Sequence, residues 1–252
     1  MRRALLLMFS FLSLQSLAQD VGRLLKEADN FESVPNELAA LSKYVEVLKI
    51  NPHQIHALSK CSELCSRIGK REKDHASRDS YYEAARTYAQ TALTIDPNNA
   101  EANCSMAVAL GRTTMSKSGK EKLNTSKEIR KYVDVALRSN PNNFLAWHVL
   151  GRWHYEISSL TFIERTAVKI FYGGLPDASF KESIAAFERS ESLTPEFLLN
   201  YFELARAYHK DGQNDRAIAT IKKMLTLPNR TEDDPAVKDD GKKLLLILEK
   251  FH

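Results

Sequence analysis

Cysteine is scarce in this sequence, which has only Cys61, Cys65 and Cys104 among 252 residues. An odd number of cysteines argues against a disulfide framework in an exported protein. Cys61 and Cys65 are one helical turn apart, on a face that is predicted to point inward. Because a free cysteine packs as a small apolar side chain, we expect three buried thiols rather than a bridge or a metal site.

Long apolar runs are missing beyond the N-terminus. The opening "MRRALLLMFSFLSLQSLAQD" has two arginines, a short apolar stretch and small residues before Ala18. This pattern predicts a signal peptide over 1–18, with cleavage after Ala18 and export to the periplasm or the medium. The apolar stretch is shorter than the roughly 20 residues that span a bilayer, although an uncleaved N-terminal anchor is the alternative reading.

A large charge excess is absent as well. The formal net charge is +4, and two of the positive charges belong to the expected signal peptide. The mature chain would therefore be nearly balanced, at about +2, which argues against a nucleic-acid partner. The oligomeric state is left open.

Motifs of known enzymes are also absent. The stretch "GRTTMSKSGKEK" has Thr114 and Glu121 where a phosphate-binding loop requires glycine and serine or threonine. His148 and His154 are six residues apart, which does not place both on one helix face for a metal. We therefore predict no catalytic activity, no cofactor and no metal. The alternative is a helical enzyme whose acid and base lie far apart in the sequence.

What the sequence does contain is a repeat that is marked by proline. After each of four prolines, a large residue follows at six positions, an apolar one at nine, a small one at ten and a large one at thirteen. These offsets fit one face of a helix with a small residue where a neighbour approaches closely. A second stripe precedes each proline, so each unit reads as two helices and a turn. The prolines are Pro52, Pro97, Pro141 and Pro195.

The unit resembles the tetratricopeptide repeat, whose first helix carries W-x2-L-G-x2-Y. "AWHVLGRWH" keeps the tryptophan, leucine and glycine, with His154 in the tyrosine position. This predicts an all-α, right-handed α-solenoid of about four and a half degenerate helix pairs over 19–252, with a C-terminal capping helix. We expect the core to include Trp147, Leu150, Tyr201 and Leu204. The proline intervals are longer than the usual repeat, and the segment 159–172 is apolar enough to form an inserted amphipathic helix.

The stretch from Leu150 to Phe197 and the segment "LPNRTEDD" are similar to the regulator of microtubule dynamics family. The resemblance implies an all-helical adaptor without catalytic residues. It also implies microtubules, spindle poles or organelle membranes as partners, in the cytoplasm or on mitochondria, and for one branch lipid exchange. The turn "YGGLPDAS" departs from the two-proline form of the family. The residues that carry the resemblance are Gly151, Trp153, Tyr155, Phe162, Glu164, Arg165, Phe171, Gly174, Pro176, Pro195 and Phe197.

In such an array, the first helix of each pair lines a concave groove. Arginine presents a planar fork of donors that suits carboxylate or phosphate groups. We therefore expect the groove to bind an acidic peptide, a chain terminus or a lipid headgroup. In the alternative, the arginines pair internally with Glu156, Glu203 or Glu164. The candidate groove residues are Arg112, His148, Arg152, Tyr155, Phe202, Arg206 and His209.

Two further hypotheses concern lipids and membranes. In a lipid carrier, the inserted helix would close the groove into an apolar pocket lined by Val108, Leu145, Phe202 and Phe171. A separate basic surface could touch an anionic membrane or an acidic tail, or it could be a solvated loop. That surface comprises Lys117, Lys120, Lys122, Lys127, Arg130 and Lys131.

Overall fold

A computed structural model describes residues 19–114, 119–172, 174 and 177–250, and these residues contain helices and no strand. The all-α prediction is confirmed. The expected signal segment 1–18 and Lys117 lie outside the described residues. The helices are α1 (19–33), α2 (Glu37–Ile50), α3 (Ile55–Arg71), α4 (His75–Ile95), α5 (Ala100–Thr114), α6 (Gly119–Ser139), α7 (Phe144–Ser158), α8 (Phe162–Tyr172), α9 (Phe180–Leu193), α10 (Leu198–Lys210), α11 (Asn214–Thr226) and α12 (Asp234–Lys250).

The proline-marked turns separate the helices at the predicted places, between α2 and α3, α4 and α5, α6 and α7, and α9 and α10. Polar residues just before several helices cap the helix N-termini. The side chain of Asn143, for example, accepts a hydrogen bond from the backbone N–H of Ala146, and Ser179 does the same for Glu182. Such caps satisfy backbone donors that a helix start leaves free.

The helices pack as successive hairpins, α3 with α4, α5 with α6, α7 with α9 and α10 with α11. Neighbouring hairpins meet where the first helix of one packs against both helices of the hairpin before it, α5 against α3 and α4, α7 against α5 and α6, and α10 against α7 and α9. At one end, α1 adds a further partner for α2, with Leu24 and Ala28 packed near Tyr44. At the other end, α12 covers the last hairpin through Val237 and Leu248. The chain is therefore a helical-repeat solenoid with a C-terminal capping helix, as predicted.

The predicted core is correct for Tyr201 and Leu204, which are each only 1% exposed. Leu150 is partly buried and packs against the core cluster that contains Trp153. Trp147 is only partly buried and belongs to no core cluster, so its assignment to the core was wrong. Trp147 and Leu150 line an open depression of about 810 Å³ between α6 and α7. The helix spacing at this point leaves their outer edges uncovered.

The inserted helix α8 forms where the sequence predicts it. The side chains of Phe162, Ile163 and Ile170 are 84%, 79% and 69% exposed. Arg165 holds the start of the helix by donating to the backbone carbonyls of Ser158 and Leu160. The lipid-carrier hypothesis requires the inserted helix to close the groove with apolar side chains, and these three exposed side chains do not do so. The side chain of Phe171 lies outside the described part.

The two ends of the array touch each other. The loop before α12 returns to α2 and α3, where the Glu232 carboxylate accepts the backbone N–H of Glu37 at 2.8 Å. Arg71 pairs with Glu37 at 2.6 Å, with Glu232 at 3.1 Å and with Asp233 at 3.4 Å, and Lys70 also pairs with Asp233. We call these five residues the closing contact. The solenoid therefore curls until residues about 160 to 195 positions apart are neighbours.

Candidate binding groove

The candidate groove residues lie on α5, α7 and α10, the first helices of their pairs, and ion pairs account for two of the predicted arginines. Arg152 donates to one oxygen of Glu203 and Arg206 to the other, each at 2.7 Å. The Glu203 side chain is only 3% exposed. Arg152 also reaches Glu156 at 3.2 Å. For these two arginines the internal-pairing alternative is the one that the structure shows.

Aromatic side chains flank the same ion pairs. The guanidinium of Arg206 lies 4.6 Å from the ring centre of Tyr155 and 5.9 Å from that of Phe202. Tyr155 is buried, whereas Phe202 is partly exposed. The negative face of an aromatic ring attracts a cation at these distances. The structure thus brings together Arg152, Tyr155, Phe202 and Arg206 around Glu203.

Neither predicted histidine is free. His148 is 5% exposed, and its Nδ1 donates to the side-chain oxygen of Asn200 at 3.1 Å. The Asn200 amide in turn donates to the carbonyl of Phe187 at 2.9 Å. Burial lowers the pKa of His148 to about 3, so the ring is neutral at pH 7. His209 is exposed and forms a hydrogen bond with Asn214 at 2.9 Å.

Arg112 differs from the other groove arginines. Among the described residues it has no ion pair and no hydrogen bond, and its buried Nε is unsatisfied. It lies on α5, between the helices that carry Arg67 and Arg152. Burial is the main cause that lowers the pKa of Arg112, and the two neighbouring cations add to the effect. Asp233 of the closing contact opposes it but does not form an ion pair with Arg112.

The sequence reasoning missed a second ion-pair network at the N-terminal end of the groove. Glu32 of α1 accepts hydrogen bonds from Lys60 at 3.2 Å and from Arg67 at 3.1 Å. Arg67 also lies 3.2 Å from Glu37. Arg67 and Arg112 each follow their repeat proline by fifteen residues. That shared offset was a signal that could have identified Arg67 as a groove residue.

The predicted basic surface is partly assembled. Lys127, Arg130 and Lys131 line the same depression as Trp147, and Lys120 and Lys122 are exposed near the start of α6. The depression is not purely basic, since Arg130 pairs with Asp134 at 2.8 Å. Its rim also includes Arg138.

The cysteine prediction is confirmed, since Cys61, Cys65 and Cys104 are all free and buried. Burial raises the pKa of the Cys65 thiol to about 12, so it is protonated at neutral pH. Within 19–114, 119–172 and 177–250, no group of three potential ligands could hold a metal ion. No helix in these ranges has the length and apolar content needed to cross a membrane.

Two solved structures show the same fold. A thermophilic TPR protein of Thermus thermophilus superposes with a TM-score of 0.65 at 16% identity, covering 90% of this chain and 99% of that one. PilW, a type IV pilus biogenesis factor, superposes with a TM-score of 0.53 at 18% identity, covering 91% of this chain and 90% of its own. At these identities the likeness establishes the fold alone.

Sequence relatives give the family. Regulator of microtubule dynamics protein 2 of Rattus norvegicus is 25% identical over 241 residues, which is 95% of this chain and 57% of that protein. Regulator of microtubule dynamics protein 3 of Bos taurus is 27% identical over 177 residues, which is 70% of this chain and 38% of that protein. The chain thus spans about two fifths to three fifths of these relatives. The model of regulator of microtubule dynamics proteins 1-3 matches residues 24–249, and the chain belongs to this family.

Proposed function

We propose that this chain is a non-catalytic binding protein that holds an extended peptide partner in its concave groove. The observation that carries the proposal is the mixed lining of the groove. Charged side chains such as Glu63 and Arg152 alternate with the partly exposed apolar side chains of Val108, Leu145 and Phe202. A peptide offers both kinds of group, since its backbone and polar side chains satisfy charges while a few apolar side chains supply anchors.

The same lining disfavours the lipid-carrier alternative. Acyl chains in the groove would remove water from Arg112, which has no ion pair in the described ranges, without supplying a hydrogen bond. Burying charged groups in this way is costly unless they are paired. The relatives are described as regulators of microtubule dynamics, and a role as an adaptor in an assembly of that kind is consistent with a groove for a peptide.

Site-specific photo-crosslinking tests the proposal. A benzoylphenylalanine residue is placed at Val108 or Leu145 in the groove, and at the exposed Arg86 on α4 as the matched control. We expect peptide adducts of one common partner from positions 108 and 145, and none of that partner from position 86. The purified partner should then bind the chain, and Leu145→Glu should weaken that binding while Arg86→Glu should not. Lipid adducts alone, or equal adducts at all three positions, would reject the peptide groove.

A further inference from the structure

Arg112 is the one groove arginine in the described ranges that forms no ion pair. Arg152 and Arg206 share the buried Glu203, and Arg67 has Glu32 and Glu37. Arg112 has no carboxylate within 4 Å in these ranges. Its Nε is buried without a hydrogen bond, as are those of Arg67 and Arg152, but those two arginines have carboxylate partners. A buried donor that lacks an acceptor destabilises the protein, typically by about 1–3 kcal/mol. The unbound groove therefore keeps an unfavourable arrangement that an incoming acceptor would relieve.

The surroundings of Arg112 define the charge of that acceptor. Arg67 and Arg152 lie on the flanking helices and repel it. Their own partners, Glu32, Glu37 and Glu203, are already present in the groove, and Asp233 lies close by. Among these side chains, Arg112 is the cation that forms no ion pair within the described ranges. A carboxylate brings one negative charge, whereas a phosphate ester brings about −1.5 to −2 and would add repulsion from these acids.

The geometry of the side chain also suits a singly charged carboxylate. A guanidinium presents parallel N–H groups that bind the two oxygens of a carboxylate at once. We propose that Arg112 binds a carboxylate of the groove's partner, either an acidic side chain or a chain terminus. This inference rests on the proposed peptide groove for its ligand, but the affinity of Arg112 for a carboxylate can be measured without the partner.

The test uses acetate as the probe on the whole chain labelled with 15N. The Nε–Hε signal of Arg112 is assigned as the one that Arg112→Lys removes. Acetate and sulfate are titrated separately at constant ionic strength, with chloride as the balancing salt. Sulfate serves as the doubly charged anion. We expect the Arg112 signal to shift saturably with acetate, at a midpoint several times lower than with sulfate, while the signals of the paired Arg152 and Arg206 stay in place.

Two results would overturn the inference. If sulfate saturates the shift at lower concentration than acetate, the site takes doubly charged anions. If acetate has no more effect than chloride, the cation is not a binding site. If crosslinking fails but acetate saturates the Arg112 shift, the peptide groove is rejected and the carboxylate site is retained. If crosslinking succeeds but acetate has no effect, the peptide groove is retained and the carboxylate site is rejected. With the crosslinked partner in hand, Arg112→Gln should weaken binding by about tenfold or more, equivalent to about 1.4 kcal/mol, whereas Arg86→Gln should leave it unchanged.

Discussion

At the scale of single residues, the carboxylates within reach determine which groove arginines form ion pairs. Glu203 has two oxygens, and Arg152 and Arg206 each take one at 2.7 Å. Within the described part of the chain Arg112 forms no ion pair, and its position on α5 lies between two helices that carry cations. The contacts of an arginine, and not its residue type, therefore distinguish a candidate binding residue from a structural one.

His148 gives a pH dependence whose sign can be worked out. Burial lowers its pKa to about 3 in the folded chain, whereas an unfolded histidine titrates near 6.5. Between these values the unfolded chain binds one more proton than the folded chain, so the free energy of unfolding falls as the pH falls. The slope reaches about 1.4 kcal/mol per pH unit, and about 2 kcal/mol should be lost between pH 7 and pH 5.

The comparison with His148→Gln isolates this contribution. His56 has the opposite tendency, because its hydrogen bond with Glu101 raises its pKa, and its contribution is lost as the pH rises above 6.5. Urea unfolding of both proteins at pH 5 and pH 7, followed by circular dichroism, gives the difference between the two profiles. The variant should lose about 2 kcal/mol less than the wild type on acidification. Parallel profiles would show that His148 can accept a proton in the folded state.

At the scale of elements, the small residue in each repeat sets how closely two helices approach. A β-carbon on Gly151 of α7 would lie 2.7 Å from the ring of Phe187 on α9. Phe187 is fully buried, so its ring cannot move away without disturbing the core. Gly151→Ala should therefore lower the free energy of unfolding by about 1–3 kcal/mol, measured by urea unfolding.

Gly111 in α5 is the matched control, because a β-carbon there meets nothing within 4 Å. Gly111→Ala should raise the free energy of unfolding by about 0.5–1 kcal/mol, as alanine does inside a helix. If both substitutions stabilise the protein, the approach of α7 to α9 does not depend on the missing side chain.

The elements themselves could be predicted from the sequence, because the spacing that forms a helix pair is local. The offsets around Pro97 and Pro141 indicated each pair, and they also placed the small residue at Gly151. The exposure of Trp147 could not be predicted, since it depends on the distance between α6 and α7. Within the candidate site, the sequence left Glu203 as one of three possible partners for Arg152. The pair with Glu203 depends on the packing of α7 against α10, which no local pattern gives.

At the scale of the whole molecule, the closing contact is the feature that no local pattern could reveal. It joins Glu37 and Arg71 to the loop at Glu232 and Asp233, about 160 to 195 residues away. A solenoid is held mainly by contacts between neighbouring repeats, so a contact between its ends constrains the curvature of the entire array. The curvature in turn sets the width of the proposed groove in which Arg112 lies.

Removing Arg71 should open the array. Arg71→Gln takes away the pairs with Glu37, Glu232 and Asp233, and it leaves the buried Glu37 carboxylate with fewer donors, at a cost of about 1–3 kcal/mol. We expect small-angle X-ray scattering to give a larger radius of gyration for Arg71→Gln than for the wild type. Lys242→Gln, which removes an exposed pair with Asp239, should leave the scattering unchanged.

Salt separates an electrostatic closure from closure by packing. At about 1 M salt the Debye length falls to about 3 Å, which weakens partly exposed pairs such as Lys70 with Asp233. The wild-type scattering curve should then move toward that of Arg71→Gln, whereas the variant should change little. If the wild type and Arg71→Gln scatter alike at low and high salt, the stacking of the hairpins alone fixes the curvature. The ion pairs of the closing contact then form as a result of that curvature and do not maintain it.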